Sequence, residues 1–492
     1  MTKPKTRKNE DYYDSLRGRM ELSDTANKIL ENHTPADRNW NPSCETLKAR
    51  RDSLRAEAVK QGIDVVLVYG SRADFSSVVW ATGYKTPLTE VAVAMGRNGE
   101  DAFIADPELY RTVDEFSRRR NLDMESRAMQ SMGLTDELYT FVQWSNFRDV
   151  FRLLSGKGKH DKIKVAIATP NSSITKGFVD TIQGVSGIEL VLDDGNMIAP
   201  LMFNKDDDAI TAAHSAAYIA GVSCDVMLGC LRPGVSLSSV VGEGYRAMHM
   251  MGCDDFDWPI LGGVGLQNQA VITKLAKEMV VKEGDWVTLG VSPHYGGISG
   301  VERFTVKVGG KLTDFELDVY NHIQKAFNAA RDKLLEVAVT DDQMRLVDSA
   351  FREYLSGVGV RSPDTGELVN LGTLIAYSGA HDLGALECGN PHKFGVTGAA
   401  QPFSLHHAVD KQLMGLDIAI RGYRESPSQP LLGDLHYVMI ERTAIIEDGD
   451  VTIPSVVPVD IEGLRKWCGN ANRLEKGAKG RNAPAYYQKF EY

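Results

Sequence analysis

The chain has 492 residues, 43% of them hydrophobic, with 55 Lys+Arg against 66 Asp+Glu for a net charge of −11. That length exceeds one ordinary hydrophobic core and calls for two or three domains of roughly 100–200 residues each. The acidic balance argues against nucleic acid or an anionic membrane as a general partner, because either needs a concentrated basic face.

Residues 1–43 are polar and lack a sustained period, so they are expected to form an N-terminal extension, either a mobile arm or a segment packed on a partner. The opening "MTKPKTRKNEDYYDSLRGRM" has no apolar centre of signal-peptide length, and no stretch approaches the roughly 18 apolar residues of a membrane helix. From Cys44, Leu47, Leu54 and Ala58 recur at helical spacing, Gly62 stops the helix, and "IDVVLVYG" reads as a buried strand. "VAVAM" (91–95), "AFIA" (102–105), "KVAIA" (164–168) and "IELVL" (188–192) continue as strands between helix-compatible segments such as "LYTFVQWSNFRDVFRLL". Residues 44–200 therefore read as an α/β domain.

A boundary falls near "APLMFNKDDDAI", with Asn204 as the helix cap and Asp206, Asp207 and Asp208 in the first turn against the helix dipole. The long helix that follows ends at "RPG" (232–234). A second helix starts at Asp314 and carries Phe315, Val319, Ile323, Phe327, Ala330 and Leu334 on one face. Strands are expected at 286–292, 297–308, 373–377, 416–420 and 436–446, giving an α+β domain over 201–465 in which helices cover an antiparallel sheet. Residues 466–492 read as a C-terminal tail. Cys44, Cys224, Cys230, Cys253, Cys388 and Cys468 form no CxxC pair and are expected as reduced thiols in a cytoplasmic protein. Gly262, Gly263 and Gly265 lack the strand-GxGxxG-helix setting of a nucleotide loop.

The ordered set "LRPGVS", "EGDWVTLG", "ISGVERFTV", "GAHDLG" and "MIERTAIIEDGD", after "IDVVLVYG" and "WATGYKTP", resembles the creatinase, prolidase and aminopeptidase P family. The resemblance runs from about Leu47 to Pro454 and implies a pita-bread catalytic domain behind a creatinase-like N-terminal α/β domain. Metallopeptidases of that family hold two divalent ions with two aspartates, a histidine and two glutamates. Transferred position by position, these fall on Gly290, Gly300, His381, Arg421 and Glu441. Glycine supplies no ligand and a guanidinium opposes a divalent cation, so the resemblance points to the metal-free creatinase branch, with no metal and no cofactor.

In that branch Glu302 and Glu441 fall on glutamates that bind the cationic end of the substrate, and His381 on a histidine of the pocket. Placed on adjacent strands and facing one cavity, Glu302 and Glu441 would clamp a cationic group or divide acid and base roles. His381 is the expected proton shuttle, with His294 in reserve. Arg421 would either neutralise Glu441 or bind a substrate carboxylate. Tyr84 and Lys85 are the nearest counterparts of residues that close the partner subunit's pocket, which implies a homodimer. Each has a structural alternative: Glu302 and Arg303 as a strand-edge ion pair, His381 as a satisfied core histidine, Tyr84 and Lys85 as a half-buried aromatic and a solvated amine. The branch's general-base histidine has no counterpart, since Met251–Trp286 contains no histidine. The expected function is metal-independent hydrolysis of a C–N bond in a small polar, amino-acid-like molecule. A lyase or rearrangement enzyme on the same scaffold and a non-catalytic binding protein are the alternatives.

Overall fold

The computed structural model describes residues 9–129, 132, 145–256, 261–264, 279–340, 345–376, 379–387, 411–426 and 428–471. Cys388, Gly265, the upstream half of the 138–154 segment and the aromatic tail Tyr486–Tyr492 lie outside them.

The N-terminal extension folds on its own chain. Helix α1 (Asn9–Leu30) buries Leu22, Ala26 and Ile29 in the core of the second domain, where neither a mobile arm nor a partner is required. Helix α2 (Cys44–Lys60), capped by the Ser43 hydroxyl on the Thr46 amide, leads into β1 (Val65–Gly70) through Gly62 at φ +70. The α/β domain continues with α3 (Ser76–Thr82), β2 (Val91–Gly96), β3 (Asp101–Ala105), α4 (Pro107–Arg119) and β4 (Glu125–Ala128). After these come α5 (Phe147–Ser155), β5 (Ile163–Ile167), α6 (Lys176–Gln183), β6 (Ile188–Leu192) and α7 (Ile198–Phe203). Its sheet runs β4-β3-β2-β1-β5-β6, mixed parallel and antiparallel. The near-continuous apolar runs of β1 and β2 are buried throughout, as a sheet covered on both faces requires.

Asp206, rather than Asn204, caps α8 (Asp207–Cys230), its carboxylate accepting from the Ala209 amide. Asp207 and Asp208 fill the first turn. Then come α9 (Leu237–Met250), β7 (Asp255–Phe256), β8 (Leu261–Val264), β9 (Trp286–Val291), β10 (Pro293–Tyr295), β11 (Ile298–Ser299) and β12 (Glu302–Lys307). Helices α10 (Asp314–Thr340) and α11 (Arg345–Ser356) precede β13 (Gly359–Arg361), β14 (Leu368–Asn370), β15 (Ala380–Asp382), β16 (Gln412–Arg421), β17 (Tyr437–Glu447), β18 (Asp450–Thr452) and α12 (Ile461–Trp467). The segment expected as a strand at 373–377 instead begins in a 3-10 turn at Leu371–Leu374, where Asn370 caps the Gly372 amide.

The main sheet of this domain runs β15-β16-β17-β12-β9-β8, with β18 on β17, and its pairs are antiparallel. Helices α8 and α10 cover one face, and the large core they share with α1 closes that side. Alternation along each strand therefore decides which side chains are sealed under helices and which reach the opposite face, where the site lies.

Candidate functional site

The site is assembled from four strands and one loop. His381 stands on β15, Glu441 on β17 and Arg303 on β12, and Glu387 follows β15 in the chain. Register fixes which of them share a face: Arg303 is directly opposite Glu441, and Glu441 is directly opposite Asp417 of β16. His381 is opposite Gly415, one strand short of Glu441. The imidazole spans that strand because Gly415 carries no side chain; an added Cβ would lie 2.5 Å from His381 Cε1 and 2.6 Å from Nε2. His381 Nε2 thereby reaches Glu441 Oε1 at 3.1 Å, and Nδ1 faces the Asp382 carbonyl at 3.2 Å.

The Arg303 guanidinium fills the space between two carboxylates. Nη1 donates to Glu441 Oε2, and Nη2 donates to Glu387 Oε2 at 2.5 Å and to the Ser292 hydroxyl at 3.2 Å. The Ser292 hydroxyl in turn donates to Glu387. Side-chain exposures are 0% for Glu441, 4% for Arg303, 7% for Glu387 and 13% for His381, which makes His381 the member a ligand would meet first. Burial drives the Glu387 pKa upward, yet Arg303 and the nearby His381 outweigh it and hold the carboxyl below its ordinary value. Burial pushes the His381 pKa below its ordinary value, opposed by Glu387 and the Asp382 backbone. Both ring nitrogens face acceptors, so the neutral ring needs a proton shared with Glu441. That is the arrangement of a proton relay.

Five residues expected at the site are placed elsewhere. Glu302 does not share a cavity with Glu441: one residue from Arg303, it points to the helix-covered face, pairs across the strands with Arg442, and accepts a hydrogen bond from Ser455 at 2.8 Å. Its burial pushes its pKa up to about 6, against the pull of Arg442 and Ser455. Arg421 does not pair with Glu441; it is exposed at the end of β16 opposite Tyr437, four positions beyond Asp417. Tyr84 packs edge-on to Phe103 and Phe116 inside its own domain, where burial pushes the phenol up to about 12. Lys85 binds Asp255 at 2.6 Å and lies 4.1 Å over the Phe75 ring, all within one chain. His294 is buried beside Phe75, on β10 outside the main sheet. His381 and Glu441 are the two expected residues that the fold brings together.

Arg303, Glu387 and Gly415 were missed. The alternation of "GVERFTV" offers either Glu302 or Arg303 to the site, and only the register against β17 decides between them. Glu387 lies past the end of its strand, where no period indicates direction. Gly415 in "LMGLD" is a glycine inside a strand, which does signal a close approach.

His381, Glu387 and Glu441 bring one donor atom each to within 4.8 Å of one another, a spacing suited to a single cation. A divalent pair fits this set poorly. Arg303 already occupies one oxygen of each carboxylate, and its charge opposes that of such ions. Side chains at the two glycines are also barred: an added Cβ at Gly290 would overlap Arg303 Cγ, and one at Gly300 would overlap the Ala216 backbone.

Residues 211–392 match the model of metallopeptidase family M24. No curated protein matches the chain in sequence. Among solved structures, the X-Pro aminopeptidase of Thermotoga maritima superposes with a TM-score of 0.62 at 16% identity, covering 84% of this chain and 98% of that one. The Xaa-Pro dipeptidase of Bacillus anthracis superposes at 0.60 and 18% identity, covering 84% and 98%. The N-terminal domain of the FACT complex subunit SPT16 from Cicer arietinum does so at 0.60 and 11% identity, covering 86% and 99%. None of the helices among the described residues is long and apolar enough to cross a membrane. Residues 211–392 are thus similar to metallopeptidase family M24, and the chain has the pita-bread fold of these solved structures.

Proposed function

We propose that the chain is a metal-independent, creatinase-like hydrolase of an amide or amidino C–N bond in a small polar, amino-acid-like molecule. The observation that carries this reading is the Arg303 guanidinium seated between Glu441 and Glu387 beside His381. The resemblance implies hydrolytic chemistry at the segments that carry His381 and Glu441, and here the cation beside them is organic.

In this reading the His381–Glu441 pair moves the proton. With Glu441 holding its ring, His381 takes a proton from the attacking water and returns it to the leaving nitrogen, so the sp² carbon exchanges its C–N bond for a C–O bond. Among the described residues of the cluster, two carboxylates face one guanidinium, a balance that favours a substrate whose exposed end is cationic. Arg303 holds Glu441 in place from the opposite side. Pairing of two copies is carried by the family resemblance, although Tyr84 and Lys85 are already engaged within their own chain; sedimentation velocity tests it.

The test is amine release from a panel of small amides, amidines, guanidino acids and dipeptides in the presence of chelator, with H381A and E441Q alongside. Turnover that survives chelation and falls by roughly 10²–10⁴ in H381A supports the reading. Turnover that appears only after a divalent ion is added would sink it. Product identification separates hydrolysis from a lyase reaction. A second reading, a binding protein, is favoured by the engagement of both terminal nitrogens of Arg303 with internal partners, and gains the lead if the panel yields ligands but no products.

A further inference from the structure

We propose that Arg303 is the resident cation of this site: its guanidinium takes the place of a divalent ion among His381, Glu387 and Glu441, and its removal opens a mononuclear site for zinc. The wild-type half of this inference rests on the metal-independent reading above. The variant half stands on the donor geometry alone.

Three observations converge. His381, Glu387 and Glu441 present an imidazole and two carboxylates with donor atoms within 4.8 Å of one another, the ligand types zinc accepts with an open position. The same guanidinium contacts both carboxylates of that set from a side chain that is 4% exposed, so it is the shared counter-ion of two buried acids, unlike a solvent-screened surface pair. Its stem depends on Gly290, its cross-strand partner, because any Cβ there would overlap Arg303 Cγ. The arginine and the glycine are thus one coupled feature: an acidic side chain on β9 and this guanidinium exclude each other.

Removing Arg303 takes from Glu387 and Glu441 the guanidinium that they share, and buried carboxylates that lose a shared cation take up protons or a metal ion more readily. With His381 supplying the third donor, a borderline cation such as zinc is the matched ligand.

The experiment compares wild type, H381A, R303A and R303A/H381A, stripped with chelator, equilibrated with zinc and desalted. Bound metal is read by mass spectrometry and the melting temperature with and without zinc. The expected result is no retained zinc and no thermal shift in wild type, one zinc ion per chain and a zinc-dependent rise in melting temperature in R303A, and loss of both in R303A/H381A. Folded R303A that ignores zinc would overturn the proposal, as would wild type that retains zinc and loses it on H381A. If R303A is recovered only as aggregate, the wild-type and H381A arms decide: zinc held through His381 contradicts a resident arginine, and its absence upholds one. Neither readout uses turnover, so failure of the hydrolase reading and failure of this inference are distinguishable.

Discussion

Glu302 and Arg303, neighbours in the chain, serve opposite faces of one strand: the Glu302 carboxylate meets Ser455 and Arg442 beneath α8, and the Arg303 guanidinium meets Glu441 and Glu387 at the site. A charged pair that reads as a strand-edge ion pair is split between core and site by the two-residue period of the sheet.

Glu302 is therefore expected to set stability and leave ligand binding alone. Its folded pKa of about 6 exceeds the 4.5 of an ordinary glutamate, so the folded state holds an extra proton between those limits. Stability attributable to this group then falls as pH rises through that window, by about 2 kcal/mol in all. The uncharged isostere E302Q lacks this slope. Urea unfolding of both proteins from pH 4.5 to 7 measures the difference; parallel curves would contradict the buried placement of Glu302.

Gly415 is expected to act as a positioning residue for His381. In G415A the new methyl would stand 2.5 Å from His381 Cε1 and displace the ring from Glu441, whose Oε1 is itself 3.2 Å from that Cβ. Overpacking of this kind costs about 1–3 kcal/mol in stability. The specific sign is a shift in the His381 titration, followed by NMR of the ring protons, which a purely structural defect would not produce. An unmoved titration in folded G415A would show that the imidazole does not cross the strand at this glycine.

Lys205 and Asp382 form a buried pair next to His381, with Nζ 3.2 Å from Oδ1 and both side chains 3% exposed. Burial pushes Asp382 up to about 6 and Lys205 down, each countered by the other. Removing one partner leaves the other uncompensated, so K205M alone should cost about 3–5 kcal/mol. The double variant K205M/D382L should recover most of that loss. Simple addition of the two single effects in denaturant unfolding would mean the charges are not coupled.

Much of this fold was legible because apolar runs and turn residues report burial directly. "IDVVLVYG", "VAVAM" and "MIERTAII" became strands where expected, and long helices start near Asp207 and at Asp314 as expected, the first capped by Asp206 and not by Asn204. The extension was harder to read. Leu22, Ala26 and Ile29 mark a narrow helical stripe in a polar segment, and its burial depends on a groove supplied by α8 and α9. At the site, His381 and Glu441 were legible through a resemblance that assigns both to one pocket, and they stand on β15 and β17 with β16 between them. Glu302 was misassigned because a shift of one residue in register exchanges the faces of a strand. Arg421 was misassigned because motif alignment gives order along the chain, whereas pairing across β16 and β17 sets Asp417 beside Glu441. An arginine does neutralise Glu441, but it comes from β12.

The central claim is that this face binds its ligand without metal, using His381 and Glu441 held by Arg303. The most direct measurement is a thermal-shift screen of chelator-treated protein against small guanidino, amino, amide and carboxylate compounds, with E441Q and E302Q as a matched pair. The account predicts stabilisation by one compound class carrying a cationic end, abolished in E441Q and retained in E302Q. Stabilisation that requires added divalent metal, or that E302Q abolishes and E441Q spares, would contradict it.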